Sequence, residues 1–146
     1  MHRLITISFP AFLLLAPNWT SLALETAPAD VLFARKVLPL FKEKCLACHG
    51  NDPKKLKGDL DLRTRAGLLK GGESEESSVV PGKPLQSPLY LAATRKYEDD
   101  WTSMPPKEND KLSAEQVAYI KDWIAGGAPW PNAKRITALL KQKDPW

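Results

Sequence analysis

Apolar side chains near the start of the chain recur at about one helical turn. Between residues 30 and 46 they stand at positions 31, 33, 37, 38, 40, 41 and 45, a pattern that predicts an amphipathic helix. Pro39 interrupts this run, so we expect either a kink or a helix that restarts there. The turn-forming residues at 50–53 end the helix.

A second helix is indicated towards the other end of the chain. Ser113 and Gln116 have the spacing of a capping box. Apolar residues follow at 117, 120, 123 and 124, and the glycines at 126 and 127 end the helix. A short apolar stretch at 136–140 also resembles a helix.

The segment between these two helices is rich in Gly and Pro, which predicts long loops over residues 54–88. We expect a helical turn at 65–70 and a short helix capped by Ser87 that ends near Tyr97. No alternating run favours a strand. The sequence therefore predicts a small all-α domain, and loops of this length need something besides side-chain packing to organise them.

The first residues have the pattern of an export signal. Arg3 precedes an apolar stretch that Pro10 interrupts, and small residues precede a cleavage site after Ala23, with Ala29 as the second choice. The stretch is too short and too broken for a stable membrane span. The predicted divisions are a signal peptide at 1–23, a lead-in at 24–36, a domain at 37–131 and a tail at 132–146.

The charge of the chain indicates a protein partner rather than a nucleic acid. The formal net charge is +4, and the basic and acidic residues are interspersed. A mildly basic surface of this kind is compatible with a weakly anionic protein, whereas nucleic-acid binding would require a concentrated basic patch.

The strongest chemical signal is the sequence Cys-Leu-Ala-Cys-His at residues 45–49, the attachment pattern of c-type haem. On a helical turn Cys45 and Cys48 lie on one face, so that their thiols can add to the two vinyl groups of one porphyrin. His49 is then carried beneath the ring, where one nitrogen can bind iron.

Three other interpretations of the two cysteines stay open at this point. They could form a disulfide of the thioredoxin-like kind, although no βαβ pattern surrounds them. They could bind zinc, but the mature chain offers no further Cys or His as a fourth ligand. They could also be free thiols, which would be prone to oxidation in an exported protein.

Met104 lies in the polar stretch DWTSMPPK, where two prolines exclude a helix interior. Once the signal is removed, the chain contains one His and one Met. If haem iron has a second protein ligand of the usual kind, that ligand is therefore Met104, and such a pair raises the reduction potential. The alternative is that Met104 only holds its loop onto the core.

These motifs resemble those of the planctomycete-type cytochrome c domain, a c-type mono-haem cytochrome. The resemblance runs from about residue 37 to residue 131. The shared motifs are PLFKEKCLACHG at 39–50, KGDLDL at 57–62, GGES at 71–74, VPGKP at 80–84, SPLY at 87–90, MPPK at 104–107, LS at 112–113 and WIAGGAPWP at 123–131.

The resemblance implies a helical cytochrome c-like fold with long loops wrapped round one covalent haem c. It implies Cys45 and Cys48 as attachment points, His49 as the proximal ligand and Met104 as the distal ligand. The terminal helices would pack across each other beside the haem edge. In that family the domain commonly opens a longer multidomain protein, and the sequence leaves open whether Trp146 is a true terminus.

Several further residues are weaker candidates. Arg65 and Trp101 could contact the haem propionates, although a surface arginine and a packing aromatic are equally good interpretations. Trp123 is expected in the helix–helix core. We also expect the His49 nitrogen that is not on iron to donate to a backbone carbonyl of residues 50–60.

The function predicted from the sequence is one-electron transfer by an extracytoplasmic, mono-haem c-type cytochrome, which is a carrier and not an enzyme. Its partners would be redox proteins. One alternative is a haem sensor or peroxidase-like domain with an open or displaceable sixth ligand. Another is an electron-delivery module of a larger periplasmic assembly.

Overall fold

The structure is a computed structural model that describes residues 28–144 and residue 146. The predicted signal peptide lies outside the described residues. Within them the fold is all helical and has no strand, which confirms the predicted fold class. The helices are α1 (Ala29–Leu32), a π-helical segment (Phe33–Val37), α2 (Leu38–Lys44), α3 (Leu46–His49), α4 (Arg65–Lys70), α5 (Pro88–Thr94), α6 (Ala114–Ala125) and α7 (Ala133–Lys141), with 3₁₀ turns at Lys57–Asp59, Pro84–Gln86 and Glu108–Asp110.

The first three of these segments form one continuous helix that passes through Pro39. In a regular α-helix the proline ring would clash with the carbonyl of Arg35, four residues earlier. The wider π-helical segment lies directly before this position, and such segments are a known way of accommodating an irregularity inside a helix. The helix therefore neither ends nor restarts at Pro39.

Helix α6 packs across this first helix and buries an aromatic cluster with it. Phe33, Phe41 and Trp123 are fully buried. The Trp123 ring centroid lies 5.7 Å from that of each phenylalanine, and Trp130 lies 4.5 Å from Phe33. The Trp123 indole Nε1 donates to the carbonyl of Pro129 at 2.9 Å, so its polar atom is satisfied. Trp123 is thus core, as the sequence indicates.

The predicted capping box of α6 is present. The Ser113 hydroxyl accepts from the Gln116 amide at 3.1 Å, and the Gln116 side chain accepts from the Ser113 amide at 2.9 Å. At the other end of α6, a Cβ on Gly126 would lie 2.4 Å from Cβ of Ala29. Glycine at this position therefore lets α6 and α1 approach each other closely.

Two expectations about α5 are wrong. Ser87 does not cap the helix with its side chain; its buried hydroxyl accepts from the Val80 amide and donates to the Lys83 carbonyl, both at 2.9 Å. The helix also ends at Thr94 rather than near Tyr97. The earlier end follows from Arg95, which adopts the left-handed conformation that terminates helices.

Helix α7 packs on the amino-terminal helix. Leu139 is fully buried and clusters with Val31 and Ala34. Arg35 donates to the carbonyls of Leu139 at 3.1 Å and of Gln142 at 2.5 Å, at the end of the helix where carbonyls lack intrahelical partners. The last helix is therefore held by an apolar contact and by a cation at its carboxyl end.

Replacing Leu139 by Ala is expected to destabilise the protein by about 2–4 kcal/mol, because it leaves a cavity where α7 meets the first helix. Urea unfolding monitored by circular dichroism measures this loss. The matched control is Leu140→Ala, at a neighbouring leucine that is 49% exposed and should change stability little. Equal losses in the two variants would show that α7 is not packed as described.

Candidate haem-binding site

A cavity of about 420 Å³ opens between the first helix, α5, α6 and the loops that connect them. This volume lies within the range of about 300–1,000 Å³ that is usual for small-molecule and cofactor sites. Its walls are mainly apolar. The lining includes Leu60, Leu62, Pro88, Leu89, Ala92, Ala93, Leu112 and Ile120, together with Lys44, Lys57, Glu73, Ser74, Ser78 and Thr102.

The predicted attachment motif lies on the wall of this cavity. Cys45 is the junction between α2 and α3, and its carbonyl accepts from the amides of Cys48 at 3.2 Å and of His49 at 3.0 Å. The single turn thus formed brings the two thiols and the imidazole to the same cavity. Both cysteines are free; Cys45 is half-buried and Cys48 is exposed.

The two thiols differ in their environment. Burial raises the pKa of the Cys45 thiol from its ordinary value of 9.0 to about 12, and the adjacent Cys48 adds to this shift through charge repulsion. Cys45 therefore stays protonated at neutral pH. The neutral Cys45 thiol thus belongs to a residue of the apolar cavity wall.

In the haem-free chain at pH 8, iodoacetamide is expected to alkylate Cys48 at least about tenfold faster than Cys45, because the thiolate is the reactive form. Peptide mass spectrometry after a time course measures the two rates. In guanidinium chloride the rates should converge, since burial is then lost. Equal rates in native buffer would contradict the burial of Cys45.

The imidazole of His49 contains an orphaned polar atom. Its Nδ1 is buried and has no hydrogen-bond partner among the described residues. The expected bond from the ring to a backbone carbonyl of residues 50–60 is therefore not formed. The His49 carbonyl is satisfied by the amide of Leu62 at 2.9 Å. Buried polar groups are normally paired, so the unpaired Nδ1 is an exception, in a residue that lines the cavity.

Within the described residues the structure gives no support to the zinc or thioredoxin-like alternatives. No three His, Cys, Asp or Glu side chains in that part of the chain are placed to hold a metal ion together. A structural zinc site needs four such ligands. The same residues contain no strand, so the cysteine pair is not part of a βαβ unit.

Met104 and Trp101 line the same cavity from the loop that follows α5. The Met104 amide donates to the carbonyl of Ala92 at 3.1 Å, and the Trp101 amide donates to that of Tyr97 at 2.7 Å. These bonds fasten the loop to the carboxyl end of α5 and to the segment just beyond it. Within the residues that the structure describes, His49 is the only histidine and Met104 the only methionine. Both are thus brought to one site, although 55 positions separate them.

Arg65 is not among the residues that line the cavity. Its guanidinium Nε donates to the carbonyl of Ala128 at 3.1 Å, which links the start of α4 to the segment after α6. Of the two predicted propionate contacts, the structure therefore brings Trp101 to the cavity and places Arg65 elsewhere.

Two other features of the site, at Gly72 and Glu73, are not evident from the sequence. A Cβ on Gly72 would lie 2.1 Å from the carbonyl oxygen of Gly58, so these two backbones close the cavity rim only because position 72 has no side chain. Glu73 completes the contact through its amide, which donates to Gly58 at 2.8 Å. The two glycines were visible in the sequence, but their pairing depends on the tertiary fold.

A Cys-x-x-Cys-His turn and a methionine loop that meet at one apolar cavity fit the site of a c-type cytochrome. Residues 45–108 match the family model described as Planctomycete cytochrome C. The match confirms the predicted resemblance over that stretch, which is just under half of the chain and holds the attachment motif and the Met104 loop. No curated protein and no solved structure shows a significant match to the chain.

The matched family indicates haem binding and electron transfer. Cytochrome c domains typically lie outside the cytoplasm. None of the helices in the described part of the chain combines the length and apolar character that crossing a membrane requires.

Proposed function

We propose that this protein is an exported mono-haem c-type cytochrome that transfers one electron at a time, with His49 and Met104 as the iron ligands. The observation that carries the proposal is the convergence of four side chains on one cavity: Cys45, Cys48, His49 and Met104. The proposed organisation of the chain is a signal peptide at 1–23, a lead-in at 24–36, a domain at 37–131 and a tail at 132–146.

Four residues of the chain would hold the haem in such a site. Cys45 and Cys48 would hold the group by two thioether bonds, and His49 and Met104 would bind the iron. Haem c, when bound, supplies a one-electron couple between ferrous and ferric iron. A thioether ligand favours the ferrous state and so raises the reduction potential.

The walls of the cavity would also raise the reduction potential. Side chains such as Leu60, Leu89, Leu112 and Ile120 give the site apolar walls. Ser78 does not offset this effect, because its hydroxyl already donates to the carbonyl of Leu68 at 2.8 Å. An apolar enclosure of this kind disfavours the more highly charged oxidation state and further raises the potential.

With both axial positions filled by protein, the site would be closed to oxygen and peroxide, which favours a carrier over an enzyme. Trp101 is the better placed of the two predicted propionate contacts, because it lines the cavity. Lys44 and Lys57 lie at the same cavity and would favour an anionic protein partner.

The proposal is tested on protein exported from a host that matures c-type cytochromes. The expected results are a sharp α band in the reduced visible spectrum, a mass one haem above that of the signal-free polypeptide, and no carbon monoxide binding. A missing α band or a bare polypeptide mass would end the proposal. Ready binding of carbon monoxide would favour the sensor or peroxidase-like alternative.

A further inference from the structure

We propose that Arg95 is a positioning residue that holds the Met104 loop against α5 and so keeps the thioether at the iron. This role rests on the proposed His49/Met104 ligation. Arg95 belongs to none of the motifs that identify the domain, and it does not line the cavity. Its action on the site would pass through the backbone of the loop.

The backbone conformation of Arg95 is the first observation. It directly follows α5 with φ 57° and ψ 27°, in the left-handed region. A residue with a Cβ is disfavoured there, and glycine is the usual choice after a helix. Strained residues persist where the surroundings hold them, and an arginine side chain can take that role.

The contacts of the Arg95 guanidinium provide that role. Nη1 donates to the carbonyl of Pro105 at 2.6 Å, and Nη2 pairs with the Glu108 carboxylate at 3.2 Å. The Arg95 side chain is only 22% exposed. A planar guanidinium can serve two acceptors in a fixed geometry, which a lysine cannot do.

Hydrogen bonds hold the backbone both just before and just after the Met104 side chain along the chain. The Met104 amide is fixed to Ala92, one turn before Arg95. The next residue, Pro105, is fixed to Arg95 through its carbonyl. A proline cannot donate a backbone bond, so the stretch at 105–106 has only acceptors with which to attach itself. The cation of Arg95 meets one of those acceptors, and the loop cannot swing away without breaking this bond.

The test compares how easily added imidazole displaces the methionine in the ferric protein. Loss of the near-infrared charge-transfer band between methionine sulfur and ferric iron gives the displacement midpoint. Arg95→Gly suits the left-handed backbone but lacks the guanidinium, and Arg95→Asn suits it but is too short to reach Pro105. In both variants the midpoint is expected to fall about tenfold, the size of effect usual for one charge-assisted hydrogen bond.

Two comparisons separate positioning from general stability. Arg135→Ala removes another arginine–carboxylate pair, with Asp30 at 2.8 Å, and should leave the imidazole midpoint unchanged. Thermal unfolding of Arg95→Gly should shift no more than that of Arg135→Ala. Arg95→Lys should recover part of the lost resistance to imidazole, since one ammonium can meet one of the two acceptors.

A wild-type midpoint in Arg95→Gly or Arg95→Asn would overturn the role of Arg95 while leaving the ligation by Met104 intact. A wild-type protein that lacks the charge-transfer band would instead overturn that ligation, and the role of Arg95 with it.

Discussion

Met104→Ala is expected to keep the haem covalently attached, to lower the reduction potential by on the order of 0.1 V or more, and to open the iron to carbon monoxide. The potential falls because the thioether that favours ferrous iron is lost, and axial ligands tune haem potentials over a range of about 0.8 V. Protein-film voltammetry measures the potential, and the visible spectrum reports carbon monoxide binding to the reduced form.

The matched control for this variant is Leu112→Ala. Leu112 lines the same cavity and has a similar bulk but no sulfur. Its truncation also makes room in the cavity, so it measures the contribution of added space and water alone. A potential that is unchanged in Met104→Ala, or that changes equally in both variants, would show that the thioether is not an iron ligand and only packs its loop.

Replacing both Cys45 and Cys48 by Ser is expected to abolish covalent haem attachment, because a serine hydroxyl does not form the thioether to a vinyl group. Mass spectrometry of the exported protein should then give the polypeptide alone. Each single variant should retain one bond if it accumulates. Acid–acetone extraction, which removes only haem that is not covalently held, provides a second measurement.

The Cys45 and Cys48 variants also distinguish haem attachment from the disulfide interpretation. A disulfide in the wild-type protein would lower the polypeptide mass by two hydrogens, and the double serine variant would remove this difference. The wild-type mass must therefore be measured beside that of the variants. A wild-type protein with a bridged thiol pair and no haem would contradict the proposed function.

The helices that could be predicted from the sequence are those with strong local signals. Residues 30–46 show the period of a helix, and α6 has both a capping box at Ser113 and a glycine end. The two cysteines and His49 could be located because Cys-x-x-Cys-His is the attachment pattern of c-type haem. Met104 could be singled out because the only other methionine, Met1, lies in the predicted signal peptide.

The features that could not be predicted depend on contacts between distant segments. Arg65 pairs with Ala128 rather than approaching the cavity, and Arg95 finds its partners ten and thirteen residues later. Nothing in the local sequence specifies either choice. Ser is a common capping residue, but the Ser87 hydroxyl instead forms hydrogen bonds with the Val80 amide and the Lys83 carbonyl. The short apolar stretch at 136–140 likewise does not indicate that Leu139 is fully buried.

The π-helical segment sets the rotational register of the amino-terminal helix. Phe33 lies within the segment and Phe41 beyond it, yet both reach Trp123. Deleting one residue there would restore an α-helix and turn everything before it by about 100° around the helix axis. Phe33 would then leave the aromatic cluster and Arg35 would leave the end of α7. In homologous chains, insertions and deletions should therefore accumulate in the loops but spare residues 33–37.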